Sequence, residues 1–284
     1  MFAQREADVV PFLDWSRSDI EQKLLFPGGR YTNANALFTG LIAGVLTAGF
    51  YGLLATPWLR GGYLDALFTE RGPTQYATAL LFMWCMAILT VKWSKLCFQR
   101  RALDIRVIPE EVGFVLSKST VDRVLDRTQR AVDDPRNFIL LNRLVIALSN
   151  LRNIGHVGDV DNILRSQASQ DEAAVDTSYA LLQGFVWAIP VLGFIGTVLG
   201  LSEAIGQFSG VLGSTQDVSE ISSALKGVTA GLATAFDTTL VALVAALVVQ
   251  LVMTVMRKSE DEFLDSAMEY SLRNVVGRLR ISDD

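Results

Sequence analysis

The sequence predicts an all-α fold: a polytopic membrane protein with four transmembrane helices and a helical cytoplasmic domain. Half of the 284 residues are hydrophobic and only 19% are charged, below the roughly 25% of a soluble domain. The apolar residues gather into four stretches, 37–58, 76–96, 179–208 and 228–256. Each supplies the about 20 helical residues that a hydrocarbon core about 30 Å thick requires. The first two hold no charge before Arg60 and Lys92, and the last two hold one acid each, Glu203 and Asp237.

Taken in order, residues 1–35 form a polar N-terminal segment. Phe12, Leu13, Trp15, Ile20, Leu24, Leu25 and Phe26, ahead of Pro27-Gly28-Gly29, suit an amphipathic segment with aromatic anchors at the membrane interface. A mobile tail is the other reading. The first span exceeds the 7–15 residue core of a signal sequence, so no cleaved leader is expected. Residues 36–96 hold the first two spans. The loop after the first holds only Arg60 and Arg71, and the loop after the third only Lys226. Lysine and arginine mark the cytoplasmic side, so both termini are expected in the cytoplasm.

Residues 97–178 are too many for a simple connection and read as a cytoplasmic helical domain. Trp93, Leu96, Cys97 and Leu103 carry the second span inward. Val121, Val124 and Leu125, then Ile139, Leu140, Leu144, Ile146, Ala147 and Leu148, recur at helical spacing. Pro109, Asp133-Asp134-Pro135, Gly155 and Gly158 mark breaks. Residues 179–256 hold the third and fourth spans. In 257–284, Phe263, Ala267 and Tyr270 continue the last span as a cytoplasmic helix.

Several functions are excluded. The net charge of −5, with no gathered basic patch, gives no reason to expect nucleic acid. Cys85 and Cys97 lie twelve residues apart along one helix, too far for a bridge. Neither they nor His156 form a metal-ligand spacing. No nucleophile–base pair or phosphate loop is present, so no catalytic residue, metal or cofactor is expected.

The third span contains IPVLGFIGTVLG, residues 189–200. Proline and glycine disfavour helices in water by roughly 3 and 1 kcal/mol, but between membrane helices small residues let backbones approach. Gly193, Gly196, Thr197 and Gly200 form one small face, with Pro190 a turn before it. Gly227, Gly231, Thr234, Thr238, Ala242 and Ala245 form a matching ridge on the fourth span. Spans three and four are therefore expected to be the inner pair, with spans one and two facing lipid. At about 1.5 Å per residue, Thr197, Thr234 and Thr238 fall at similar depth, as a polar pore or a packed, hydroxyl-bonded pair would require.

Asp237, beside Thr238 and Thr239, stands inside a span at a cost of at least about 2.5 kcal/mol, which makes it a functional candidate. No base within the spans neutralises it, so it is expected to be protonated at rest and to exchange protons with a water-filled path. A neutral acid bonded to backbone is the structural alternative. Glu203 is expected to reach the interface.

These residues resemble the MotA/TolQ/ExbB proton-channel family. The similarity rests on IPVLGFIGTVLG and on KGVTAGLATAFDTTLVAL about thirty residues later. The resemblance implies a subunit of a bacterial inner-membrane motor, with a pentamer around a dimer of a single-span MotB/TolR/ExbD-type partner bearing an essential aspartate. It implies that Thr197 lines the ion path and that Pro190, Gly193, Gly196 and Gly200 pack the first inner helix. The second family threonine falls near Thr234 or Ala235, with Thr238 a turn further. Many relatives have a glutamate where this chain has Ala230. The expected ion is H+, and hydroxyls at Thr234, Thr238 and Thr239 leave Na+ open. Four spans with a long middle loop are closest to the flagellar stator layout. Arg100, Arg101, Arg106, Glu110 and Glu111 are candidates by position for a rotor contact. The competing reading is a self-contained channel or transporter, which would favour an acid paired with a base.

Overall fold

The computed structural model describes residues 12–23, 26, 28–29, 31–105, 107–108, 116, 118–154, 157–212 and 218–278. Leu24, Leu25, Pro27, Arg106, Pro109, Glu110, Glu111, Gly155 and His156, named above, lie outside the described residues. The fold is all-α. Its helices are α1 (Trp15–Ser18), α2 (Ile20–Lys23), α3 (Ala36–Leu54), α4 (Tyr63–Thr69), α5 (Pro73–Arg101) and α6 (Lys118–Ala131). Then come α7 (Ile139–Ile154), α8 (Val157–Thr177), α9 (Ala180–Leu212) and α10 (Val218–Asn274).

Among the described residues, four helical stretches are long and apolar enough to cross a membrane: Ala36–Leu54, Pro73–Asp104, Asp159–Gly206 and Ser222–Arg278. The first is shorter than its apolar run. Helix α3 ends at Leu54, because Pro57 has no N–H to donate to the helical ladder and restrains Thr56 before it. The loop that follows holds α4, which no periodicity in the sequence announced. Pro190 lies inside α9 without ending it. Its missing N–H strands a carbonyl one turn earlier, a defect that neighbouring helices can offset in a membrane.

The chain forms two compact units. One comprises Ala36–Leu89 and Ala180–Thr254. Here Gly40 gives Trp84 room, since a methyl at Gly40 would stand 2.9 Å from the indole ring. The indole N–H donates to Thr39 Oγ1 at 3.2 Å, and the ring centroid lies 4.9 Å from that of Phe185. Large apolar side chains point outward, among them Leu37, Leu41, Trp187, Phe194, Leu240 and Leu247. On a water-soluble protein such a surface would be an interaction site or a liability. Against lipid it is the ordinary outer face of a spanning bundle.

The other unit comprises Met1–Asn35, Thr90–Tyr179 and Val255–Asp284, and it turns its apolar residues inward. Val121 and Val124 of α6, and Ile139, Leu140, Leu144, Ala147 and Leu148 of α7, are buried, as their spacing anticipates. Trp15 departs from the expected role of an interfacial anchor. It is 2% exposed, with its ring 5.7 Å from Phe98 and 5.4 Å from Phe138. The segment is fixed by backbone bonds: Leu13 N–H donates to the Ala131 carbonyl at 2.9 Å, and Asp133 N–H to the Leu13 carbonyl at 3.3 Å. Asp14 caps α1, and hydrogen bonds from the Ser16 hydroxyl and the Arg17 N–H hold its carboxyl below the usual carboxylate range.

Lys92, Lys95 and Arg143 each hold buried ion pairs in this unit. Lys95 meets Glu21 at 2.5 Å and Asp19 at 3.5 Å, and also donates to the Asn33 carbonyl. Arg143 meets Asp171 at 2.9 Å. Lys92 meets Glu260 at 3.1 Å and donates to Ser178 Oγ at 2.7 Å. The Tyr179 hydroxyl donates to the other Glu260 oxygen, while Lys92 and Arg257 both lie over the Tyr179 ring, at 4.2 and 4.6 Å. Arg100 is bonded to the Ser259 carbonyl and Arg101 is exposed. Of the two free thiols, Cys85 is buried and Cys97 exposed.

Candidate ion pathway

Helices α9 and α10 meet along a seam of small residues, and the space along it is too tight for side chains. A methyl at Gly193 would lie 2.6 Å from Ala242 Cβ, and one at Gly196 would lie 2.6 Å from Thr238 Oγ1. A methyl at Gly200 would stand 2.9 Å from the Gly231 carbonyl, and one at Gly231 would stand 2.7 Å from the Gly200 carbonyl. At that point backbone meets backbone. Gly227 is half-buried on α10, and Pro190 is half-buried one turn before the seam.

The candidate hydroxyls fall into separate places. Thr238 is buried against Gly196 and donates to the Ala235 carbonyl at 3.0 Å. Thr239 reaches across the seam to the Gly193 carbonyl at 3.3 Å. Thr197 donates to the Phe194 carbonyl of its own helix at 2.6 Å. Thr234 donates to the Ala230 carbonyl at 3.1 Å. Each hydroxyl hydrogen is thus taken by a backbone acceptor, which a spanning helix needs where no water is at hand.

Asp237 has a base in reach that lies outside the spans. Arg71, from the loop before α5, places Nη2 2.9 Å from Asp237 Oδ2. Its Nη1 donates to Thr234 Oγ1 at 3.2 Å. Arg71, Thr234 and Asp237 therefore form one charge-paired cluster. The two charged side chains are 22% and 20% exposed. One turn toward the start of α10, Arg71 also borders an open groove of about 660 Å³ with Ser222, Lys226 and Thr229. Ala230 lines the same groove. Glu203 is exposed.

Sequence reasoning missed two contributions from α5 and its loop. Arg71 could have been found by asking which base answers the lone acid of a span, because the loops flanking that end of α10 offer only Arg60, Arg71 and Lys226. Thr74, Gln75 and Thr78 are buried at the start of α5. Thr74 Oγ1 comes within 2.9 Å of the methyl position at Gly196. Both amide atoms of Gln75 are buried with no hydrogen-bond partner among the described residues.

A chain with four helical stretches long and apolar enough to span a membrane is of the polytopic membrane class. Residues 144–269 match the profile of the MotA/TolQ/ExbB proton channel family. The match takes in α8, α9 and most of α10, and it supports an ion-channel or stator-like function. Among the described residues no group of three or more His, Cys, Asp or Glu is placed to hold a metal ion. Neither the curated proteins nor the solved structures provide a match to the chain.

Proposed function

We propose that this chain is the ion-conducting subunit of an inner-membrane rotary motor that converts ion-motive force into mechanical work. Five copies surround a dimer of a single-span partner that carries an essential aspartate. Helices α9 and α10 face the axis, while α3 and α5 face lipid. Residues 97–178 and both termini lie in the cytoplasm, consistent with the scarcity of lysine and arginine in the two short loops. H+ is the transported ion. The observation that carries this reading is the seam of Gly193, Gly196, Gly200 and Gly231, with hydroxyls and Asp237 beside it, inside the stretch that matches the family.

The second reading, a self-contained channel, gains from the pairing of Asp237 with Arg71, since an acid matched by its own base needs no partner subunit. The mass of the complex extracted gently from native membranes, with its subunits identified, separates the two. Five copies with two of a single-span, aspartate-bearing protein is the expected result. A stable assembly holding no second protein would replace the motor with the self-contained channel.

A further inference from the structure

Asp237 stands in a spanning helix, yet its countercharge comes from outside that helix. We propose that Arg71 is the gate of the ion pathway: while it holds Asp237 the path is shut, and conduction begins when it is drawn away. The proposal rests on the ion-channel reading above and adds to it the residue that controls the acid.

Three observations carry it. The first is occupancy. Arg71 Nη2 sits 2.9 Å from Asp237 Oδ2, and Nη1 is 3.2 Å from Thr234 Oγ1. A proton arriving at that oxygen must first displace the guanidinium, and a fixed positive charge beside a narrow polar path repels any cation that approaches. The second is the joint on which Arg71 hangs. Helix α4 ends with Glu70 in the helical region, Gly72 takes φ +89° with open space around its missing side chain, and Pro73 begins α5. A change at Gly72, which tolerates conformations closed to other residues, moves Arg71 without unwinding either helix.

The third is a place to go. Arg71 borders the open groove that also receives Lys226, Ser222 and Thr229. Its Nε is buried without a hydrogen-bond partner among the described residues, so nothing but Asp237 and Thr234 holds the guanidinium in place. A carboxylate entering this groove meets the positive charges of Arg71 and Lys226, and a guanidinium drawn toward it has the fork for bidentate capture. An acidic group presented there is the signal that would pull Arg71 from Asp237.

The test uses the complex purified from native membranes, in liposomes loaded with a pH-reporting dye and energised by a potassium diffusion potential. Arg71→Ala should leak protons roughly tenfold faster than the unaltered complex, given the cost of an unpaired charge at that depth. Arg71→Lys, which keeps the charge, should stay tight. Arg71→Ala combined with Asp237→Asn should be tight again, because the leak runs through the freed acid. Should Arg71→Ala not assemble, Arg71→Gln, which keeps the bulk and loses the charge, takes its place. No added leak in the neutral variant, or a leak that persists in the double variant, overturns the gate. If the unaltered complex nevertheless carries protons when driven, only the gate has failed; if nothing conducts, the channel reading has failed with it.

Discussion

Lys92 is fully buried, and so is Glu260, its partner at 3.1 Å. Removing one member of such a pair leaves the other charge without compensation, at roughly 3–5 kcal/mol. Lys92→Met should therefore lower the thermal midpoint of the detergent-solubilised chain, and Lys92→Met with Glu260→Leu should recover much of the loss. A single variant as stable as the parent would mean that the pair contributes nothing. Thr197 poses the opposite case. Among the described residues its hydroxyl bonds to the Phe194 carbonyl of its own helix at 2.6 Å, so Thr197→Val should leave assembly intact, costing under about 1 kcal/mol, while reducing ion flux. Disassembly would assign the hydroxyl to packing. At this scale the sequence was silent on Arg71, because 166 positions separate it from Asp237 and periodicity reports only residues that share a helix.

For helices, the number and approximate placement of the spans were legible, since hydropathy over about 20 residues is a strong signal. The end of α3 and the existence of α4 were not, because a proline turn and a seven-residue helix leave little pattern. The threonines of α10 teach a related lesson. Counted along the chain, Thr234, Asp237, Thr238 and Thr239 look like one polar group. A helix rotates about 100° per residue, so Asp237 turns to Arg71 while Thr238 turns to Gly196. The seam itself predicts a steric outcome. A side chain at position 196 meets Thr238 Oγ1 and Thr74 Oγ1 within 3 Å, and overpacking of that kind costs typically 1–3 kcal/mol or more. Gly196→Leu should separate α9 from α10 and abolish activity, read as a lower thermal midpoint of the detergent-solubilised chain together with loss of ion flux. A Gly196→Leu protein as stable as the parent and still active would refute the close-packing account.

Across the whole molecule, one residue type is used in two senses. In the unit of Ala36–Leu89 and Ala180–Thr254 apolar side chains face outward, and in the other unit they face a core. Composition alone does not separate the two, which is why Trp15 looked like a membrane anchor. Its true partners, Phe98 and Phe138, lie on segments more than eighty positions away. Trp15→Ala should destabilise that unit by about 3–5 kcal/mol and render the N-terminal segment sensitive to limited proteolysis. A variant as resistant as the parent would detach the segment from the core.

The two cysteines make the unaltered chain its own topology reporter. Cys97 is exposed near the end of α5, and Cys85, twelve positions earlier on the same helix, is buried. A membrane-impermeant maleimide should therefore attach one label per chain, at Cys97. Labelling only after cells are permeabilised would place the far end of α5 in the cytoplasm, and labelling of intact cells would turn the chain over. Because no engineered cysteine is needed, the same reagent could follow that surface while the membrane is energised, with a fall in reaction rate registering any surface that closes over it.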